Sequence, residues 1–122
     1  MMTKNSDIGN NGETLACEHL EKKGYTVLFR NWHYQHKEID IIAKNPSILI
    51  IVEVKTRISG SLVSPVGSVN YRKQRLIIEA ADAFIQKHNV NLEVRFDIIS
   101  VIYNSKGYQI EHIENAFYPK VK

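Results

Sequence analysis

Three side chains in the middle of the chain have types suited to hydrolysing a phosphodiester. Asp40 interrupts the apolar run at residues 39–43, and Glu53 and Lys55 interrupt the run that starts at Ile48. Ionised groups are expensive to bury unless they are paired or metal-bound. Carboxylates and an ammonium near the ends of Ile/Val strands therefore need a purpose. On neighbouring strands Asp40 and Glu53 can converge on one point. Lys55 lies on the same side as Glu53, about 6–7 Å along the strand. Two carboxylates suit a hard divalent cation that keeps some of its water, Mg²⁺ or Mn²⁺. Such a cation polarises a phosphoryl oxygen and lowers the pKa of a bound water. The ammonium can orient the attacking water or offset charge developing on the phosphorane. Glu13, on a preceding helix, can complete the coordination shell directly or through water, or it simply favours the helix dipole from the first turn. Glu38 is either a fourth carboxylate or a rim residue paired with a base.

Those positions impose an element order. A first helix is expected from Asn11 or Gly12 to Lys23, stopped by Gly24, with Leu15, Ala16 and Leu20 facing inward and Cys17 alongside. Residues 25–30 read as a strand that can continue to Tyr34. Residues 38–44 and 48–56 read as an antiparallel hairpin around Asn45-Pro46-Ser47. Period 2 puts Glu38, Asp40 and Ile42 on one face and Ile39, Ile41 and Ala43 on the other. In the next strand it puts Leu49, Ile51, Glu53 and Lys55 together. That strand is apolar on both faces over most of its length, as a central strand should be. Residues 58–69 are rich in Ser, Gly and Pro and read as a long loop. Asn70 can cap a second helix, residues 71–88, which buries Ile77, Ala80, Ala81, Phe84 and Ile85. Strands at 94–103 and 108–113 follow, then a tail whose Phe117 and Tyr118 can pack back on the body. The helix between the third and fourth strands is a crossover, so those two strands should be parallel.

The 122 residues suffice for one domain with a single core. The expected division is a flexible stretch at 1–11, the domain at 12–118 and a tail at 119–122. One cysteine excludes a disulfide framework and a cysteine-rich zinc site, and a reducing cytoplasm is the natural compartment. No apolar run approaches the ~20 residues of a membrane span. From Arg30 to Arg75 there are eight basic residues, and the only acids are Glu38, Asp40 and Glu53. Such a segment would attract a polyanion while its acids hold cations. Arg72, Lys73 and Arg75 crowd the first turn of the second helix, where cations oppose the dipole. An arriving anion would explain them. Arg30, Lys37, Arg57, Arg72, Lys73, Gln74 and Arg75 are the candidate nucleic-acid contacts. Trp32 and Tyr34 suit either base stacking or hairpin packing. Asp97 reads as a structural carboxylate bonded to backbone or Arg95. His33 and His36, without a cysteine, are a poor zinc pair.

Gly12-Glu13, Arg30-Asn31, the run Glu38-Ile39-Asp40-Ile41-Ile42-Ala43, the run Val52-Glu53-Val54-Lys55-Thr56-Arg57, Arg95-Phe96-Asp97 and Ala116-Phe117 together resemble the bacterial YraN family. That family belongs among restriction-endonuclease-like proteins, whose motif is written PD-(D/E)xK. The layout is also similar to archaeal Holliday-junction resolvases. The resemblance spans about residues 9–118. It implies an α/β fold, a restriction-endonuclease-like αβββαβ core with a mixed central sheet flanked by helices. It further implies Glu13, Asp40 and Glu53 as metal ligands and Lys55 as the catalytic lysine. The family usually has Gly before the Glu-Ile-Asp triplet, where this chain has Lys37. The expected function is a Mg²⁺- or Mn²⁺-dependent nuclease acting on DNA, including branched or structured DNA, with a homodimer as a possible assembly. The alternatives are a non-catalytic module that binds nucleic acid or protein on a nuclease fold, and a small metabolic phosphoesterase. The last fits the metal site but not the basic surroundings.

Overall fold

The computed structural model describes residues 4–60 and 69–119. Helix α1 (Lys4–Lys22) is followed by strands β1 (Thr26–Tyr34), β2 (Lys37–Lys44) and β3 (Ile48–Ile58), helix α2 (Tyr71–His88), and strands β4 (Glu93–Asn104) and β5 (Gly107–Phe117). The five strands form one mixed sheet in the order β1-β2-β3-β4-β5. This is the αβββαβ core expected from the sequence, with a fifth strand added at the edge. β3 and β4 run parallel from Ile48↔Glu93 to Ile58↔Tyr103, and every other neighbouring pair is antiparallel. Most of the predicted loop, residues 61–68, lies outside the described residues.

Each helix covers one face of the sheet. On the α2 face Ile77, Ala80, Ala81 and Phe84 pack with Ile39, Ile42, Leu49, Ile51, Phe96 and Ile98, and Ile85 packs against this cluster. On the α1 face Ala16, Cys17 and Leu20 pack with Ile41, Ala43, Ile50, Val52, Ile99 and Val101. Burying both faces makes β3 the central strand its composition suggested, at about 1.5–3 kcal/mol for each fully buried aliphatic side chain. Asn70 caps α2 by accepting from the Lys73 N–H at 2.9 Å, and Asn89 ends it in the left-handed region.

Two boundaries differ from expectation by more than two residues. α1 begins at Lys4 rather than at Asn11 or Gly12. Gly9, Asn10, Asn11 and Gly12 are weak helix formers, so local propensity gave no reason to extend it. β5 runs on to Phe117, so residues 114–117 belong to the sheet and not to a tail. Phe117 is buried and stacks on Phe96 at 5.3 Å, whereas Tyr118 is exposed. Trp32 packs edge-on against Phe84 at 5.3 Å, the packing alternative for that residue.

The largest difference is one of phase. Ile39 shares the α2 face with Ile42, while Ile41 and Ala43 take the α1 face, so β2 breaks period 2 at Asp40. The neighbouring strand breaks with it. Phe29 and Trp32 both contact Phe84 of α2, while Arg30 and Asn31 both reach Glu13 of α1. Asn31 absorbs the step at φ 52°, a left-handed conformation that Asn tolerates. Because both strands shift together, their pairing continues through Arg30↔Ile41 and Trp32↔Ile39. The predicted grouping of Ile39 with Ile41 and Ala43, and of Asp40 with Ile42, is therefore corrected.

Candidate active site

The phase break coincides with a fork in the sheet. β2 pairs with β3 only over Ile41–Lys44, against Leu49–Val52. Beyond Ile41 the two strands part, and the Asp40 carboxylate occupies the opening. Its Oδ2 accepts the Val54 N–H at 2.8 Å, a backbone donor that the departing strand leaves without a ladder partner.

Around Asp40 the structure gathers two groups. On the α1 side Glu13, Glu38 and Asp40 each offer a carboxylate oxygen, all within 4.8 Å of one another. Glu13 is held there by Asn31, whose Nδ2 donates to Oε1 at 3.0 Å, and by Arg30 at 3.6 Å. Gly12 lets α1 approach, because a Cβ there would collide with the Thr56 methyl group. Glu38 lies in this cluster and pairs with His33 at 3.0 Å, the rim pairing expected of it. On the α2 side Glu53 is buried at 5 % exposure. Its Oε1 lies 2.8 Å from Lys73 Nζ and 3.8 Å from Lys55 Nζ. The Ser100 hydroxyl, paired in register with Lys55, is buried and has no hydrogen-bond partner among the described residues.

The charges of the two groups meet on Asp40. Burial and then the neighbouring Glu53 charge push its carboxyl from 3.8 up to about 7, against the lowering effect of the Val54 N–H. Glu13 and Glu38 push the same way. Burial and the adjacent Lys73 ammonium hold Lys55 below the ordinary lysine range. For Lys73 burial acts downward, but the bond to Glu53 prevails and raises it. The donors are hard carboxylate oxygens carrying negative charge that nearby cations do not fully offset, a set that fits a divalent cation such as Mg²⁺ or Mn²⁺. When bound, that cation would activate water and polarise a phosphoryl oxygen.

The candidate nucleic-acid contacts divide into two classes. Arg30 pairs with Glu13, Lys37 with Glu79 at 3.3 Å, and Lys73 with Glu53. Gln74 Nε2 donates to the Val69 carbonyl at 2.9 Å. Arg72 and Arg75 are exposed on the first turn of α2, with Arg75 lying 5.9 Å from the Tyr71 ring, and Arg57 is half-buried near the end of β3. The basic first turn thus has an internal anion, Glu53, as well as any anion from outside. Sequence reasoning did not anticipate the Lys73–Glu53 pair, the Val54 N–H to Asp40 bond or the orphan hydroxyl of Ser100. The only visible signal was Lys73 itself, a cation where the helix dipole disfavours one.

Asp97 is structural, as read. It is fully buried, accepts Arg95 Nε and Nη2 at 2.8 Å each, and accepts the Asn115 N–H at 3.0 Å. His112 Nε2 lies 2.8 Å from Asp97 Oδ2, and His112 Nδ1 lies 3.1 Å from His19 Nε2 of α1.

A model of a family described as Uncharacterised protein family UPF0102 matches residues 12–101. A UPF0102 protein of Parabacteroides distasonis is 48% identical over 117 residues, covering 96% of this chain and 97% of its own. One from Flavobacterium psychrophilum is 46% identical, covering 96% and 98%. One from Phocaeicola vulgatus is 42% identical, covering 98% and 99%.

Proposed function

The chain belongs to the UPF0102 family, the restriction-endonuclease-like YraN group, and from that premise we propose that it is a metal-dependent nuclease that hydrolyses phosphodiester bonds in DNA, including branched or structured DNA. The observation that carries the reading is the fork between β2 and β3. It brings one carboxylate oxygen each of Glu13, Glu38 and Asp40 within 4.8 Å of one another and leaves Asp40 facing the Glu53 charge. Asp40, Glu53 and Glu13 would hold the Mg²⁺ or Mn²⁺; Glu38 shares the 4.8 Å cluster with Glu13 and Asp40, whereas Glu53 lies outside it on the α2 side. Lys55, half-buried beside Glu53, positions the attacking water or meets charge developing on the phosphorane. Exposed Arg72 and Arg75 receive the phosphate backbone at the positive end of α2. Among the described residues no helix is long and apolar enough to cross a membrane. A cytoplasmic setting, which keeps thiols reduced, suits the buried free Cys17.

The test is cleavage of single-stranded, duplex, flapped and four-way-junction DNA with Mg²⁺ or Mn²⁺. The wild type is expected to cut at least one substrate, and Asp40→Asn, Glu53→Gln and Lys55→Met to lose at least about a hundredfold in rate while remaining folded, as for loss of a group acting at the reacting centre. Equal cleavage by all three variants would sink the site assignment. Salt-dependent DNA binding without turnover under either metal would favour a non-catalytic binding module.

A further inference from the structure

Glu53 and Lys73 form an unequal pair. The carboxylate is all but closed to water, with a side-chain exposure of 6%, while the lysine side chain is 42% exposed. A buried carboxylate without a counter-ion is costly, whereas an ammonium at the end of four methylenes is readily rehydrated. Glu53 therefore needs a cation more than Lys73 needs Glu53. The backbone around Lys73 is fixed, since its N–H is held by the Asn70 cap. The side chain is the movable part. α2 offers it little reason to remain, because its first turn contains no acid and its positive end disfavours a cation. Lys55, by contrast, projects from the central strand, is 24% exposed and stands 3.8 Å from the same oxygen. Glu53 thus faces two ammonium groups, of which Lys73 is the closer and the more accessible.

We propose that Lys73 is the resident counter-ion of Glu53 in the cation-free protein, competes with the divalent cation for that carboxylate, and is released by cation binding toward the substrate phosphate. The inference rests on the metal-site reading above and adds regulation of that site. It divides labour between the two lysines. Lys55 acts at the reacting atoms, and Lys73 is a positioning residue that keeps Glu53 compensated until the cation arrives. Released, its ammonium lies one residue from Arg72 and two from Arg75, at the helix end where an anion is favoured. The arrangement resists spurious cation capture in the absence of DNA, because each cation must first displace an ion pair.

The test needs no DNA. Mn²⁺ is titrated calorimetrically into wild type, Lys73→Gln, Lys73→Met and Asp40→Asn, and each is melted with and without Mn²⁺. Both Lys73 variants are expected to bind Mn²⁺ on the order of tenfold tighter than wild type, since a competing charge is gone. They should melt lower than wild type without metal and recover with it. A lysine that was only structural would lower the melting temperature and leave affinity unchanged. Equal or weaker binding by both variants overturns the inference while leaving the metal site standing. Binding by wild type that persists undiminished in Asp40→Asn, or no binding by any form, overturns the metal-site reading and the inference together. A readout on the wild-type chain covers the case in which the variants do not fold. Acetylation of Lys73, followed by mass spectrometry, should accelerate several-fold on adding Mn²⁺, and an unchanged rate would also overturn the inference.

Discussion

Asp40 and Asp97 are acids set into the same sheet among Ile and Val, yet the fold treats them in opposite ways. Asp97 receives a bidentate guanidinium, an imidazole and a backbone N–H. Burial pushes its carboxyl up, but the bonds from His112 and Arg95 more than offset this and hold it below the ordinary range. Asp40 receives one backbone N–H and faces three other carboxylates, and its carboxyl rises to about 7. One acid is a completed joint that ties β4 to β5 and, through His112 and His19, to α1. The other is left short of positive charge at a place where the sheet opens. The difference teaches that burial alone does not single out a candidate functional acid; incomplete compensation at a strand fork does.

The comparison breaks most directly at Asp97. Asp97→Asn leaves the half-buried Arg95 guanidinium with only the Tyr25 hydroxyl and the exposed Glu114 as partners, so urea unfolding at neutral pH should show a loss of about 3 kcal/mol, the low end for a broken buried pair. A loss below about 1 kcal/mol would mean that the network is not a completed joint.

The second expected effect is opposite in kind. Asp40→Asn keeps an acceptor for the Val54 N–H and removes charge repulsion, so the metal-free protein should be as stable as wild type below about pH 4 and more stable at pH 8. The sign follows from linkage. A carboxyl raised in the fold stays protonated in the native state while the unfolded chain ionises. Its contribution is therefore lost as pH rises from the ordinary value of 3.8 to about 7, and is flat above. Asp97 runs the other way: its contribution is present above the ordinary carboxylate pKa and disappears as acid passes its lowered folded value. Measuring stability against pH for wild type and Asp40→Asn should give a difference that opens across that window. A constant difference would place Asp40 with Asp97.

The smallest expected effect concerns how closely α1 carries Glu13 to the fork. Gly12→Ala meets the Thr56 methyl group and should cost about 1 kcal/mol, roughly the size of a modest overpacking. Adding Thr56→Ser removes that methyl. The double variant should recover and even gain up to about 1 kcal/mol from the better helix former. If the second substitution restores nothing, α1 does not seat through this contact.

Much of the fold was legible because its signals are local. The apolar runs with the Asn45-Pro46-Ser47 turn specify the β2–β3 hairpin. Asn70, with Ile77, Ala80, Ala81 and Phe84 at helical spacing, specifies α2 and its inward stripe. The crossover between β3 and β4 then requires parallel pairing. The start of α1 and the end of β5 were less legible, since weak helix formers and a polar stretch at residues 111–115 hide elements held by tertiary contacts. Of the candidate site, the residue types and the strands that carry them were legible. Their partners were not, because Arg30 and Asn31 reach Glu13 of α1 from β1, and Lys73 reaches Glu53 of β3 from α2.

The sequence by itself determined which side chains are candidates for the chemistry and the order of the strands and helices that bear them, because composition and period are properties of the chain. Only the tertiary structure decided how the charges are compensated. The joint phase break of β1 and β2 turns Asp40 away from the face that strict alternation assigns it, and the parting of β2 from β3 opens the space it fills. Lys73 then arrives at Glu53 from across the fold. Compensation depends on distance and on exclusion of water, and neither exists until separate elements pack together.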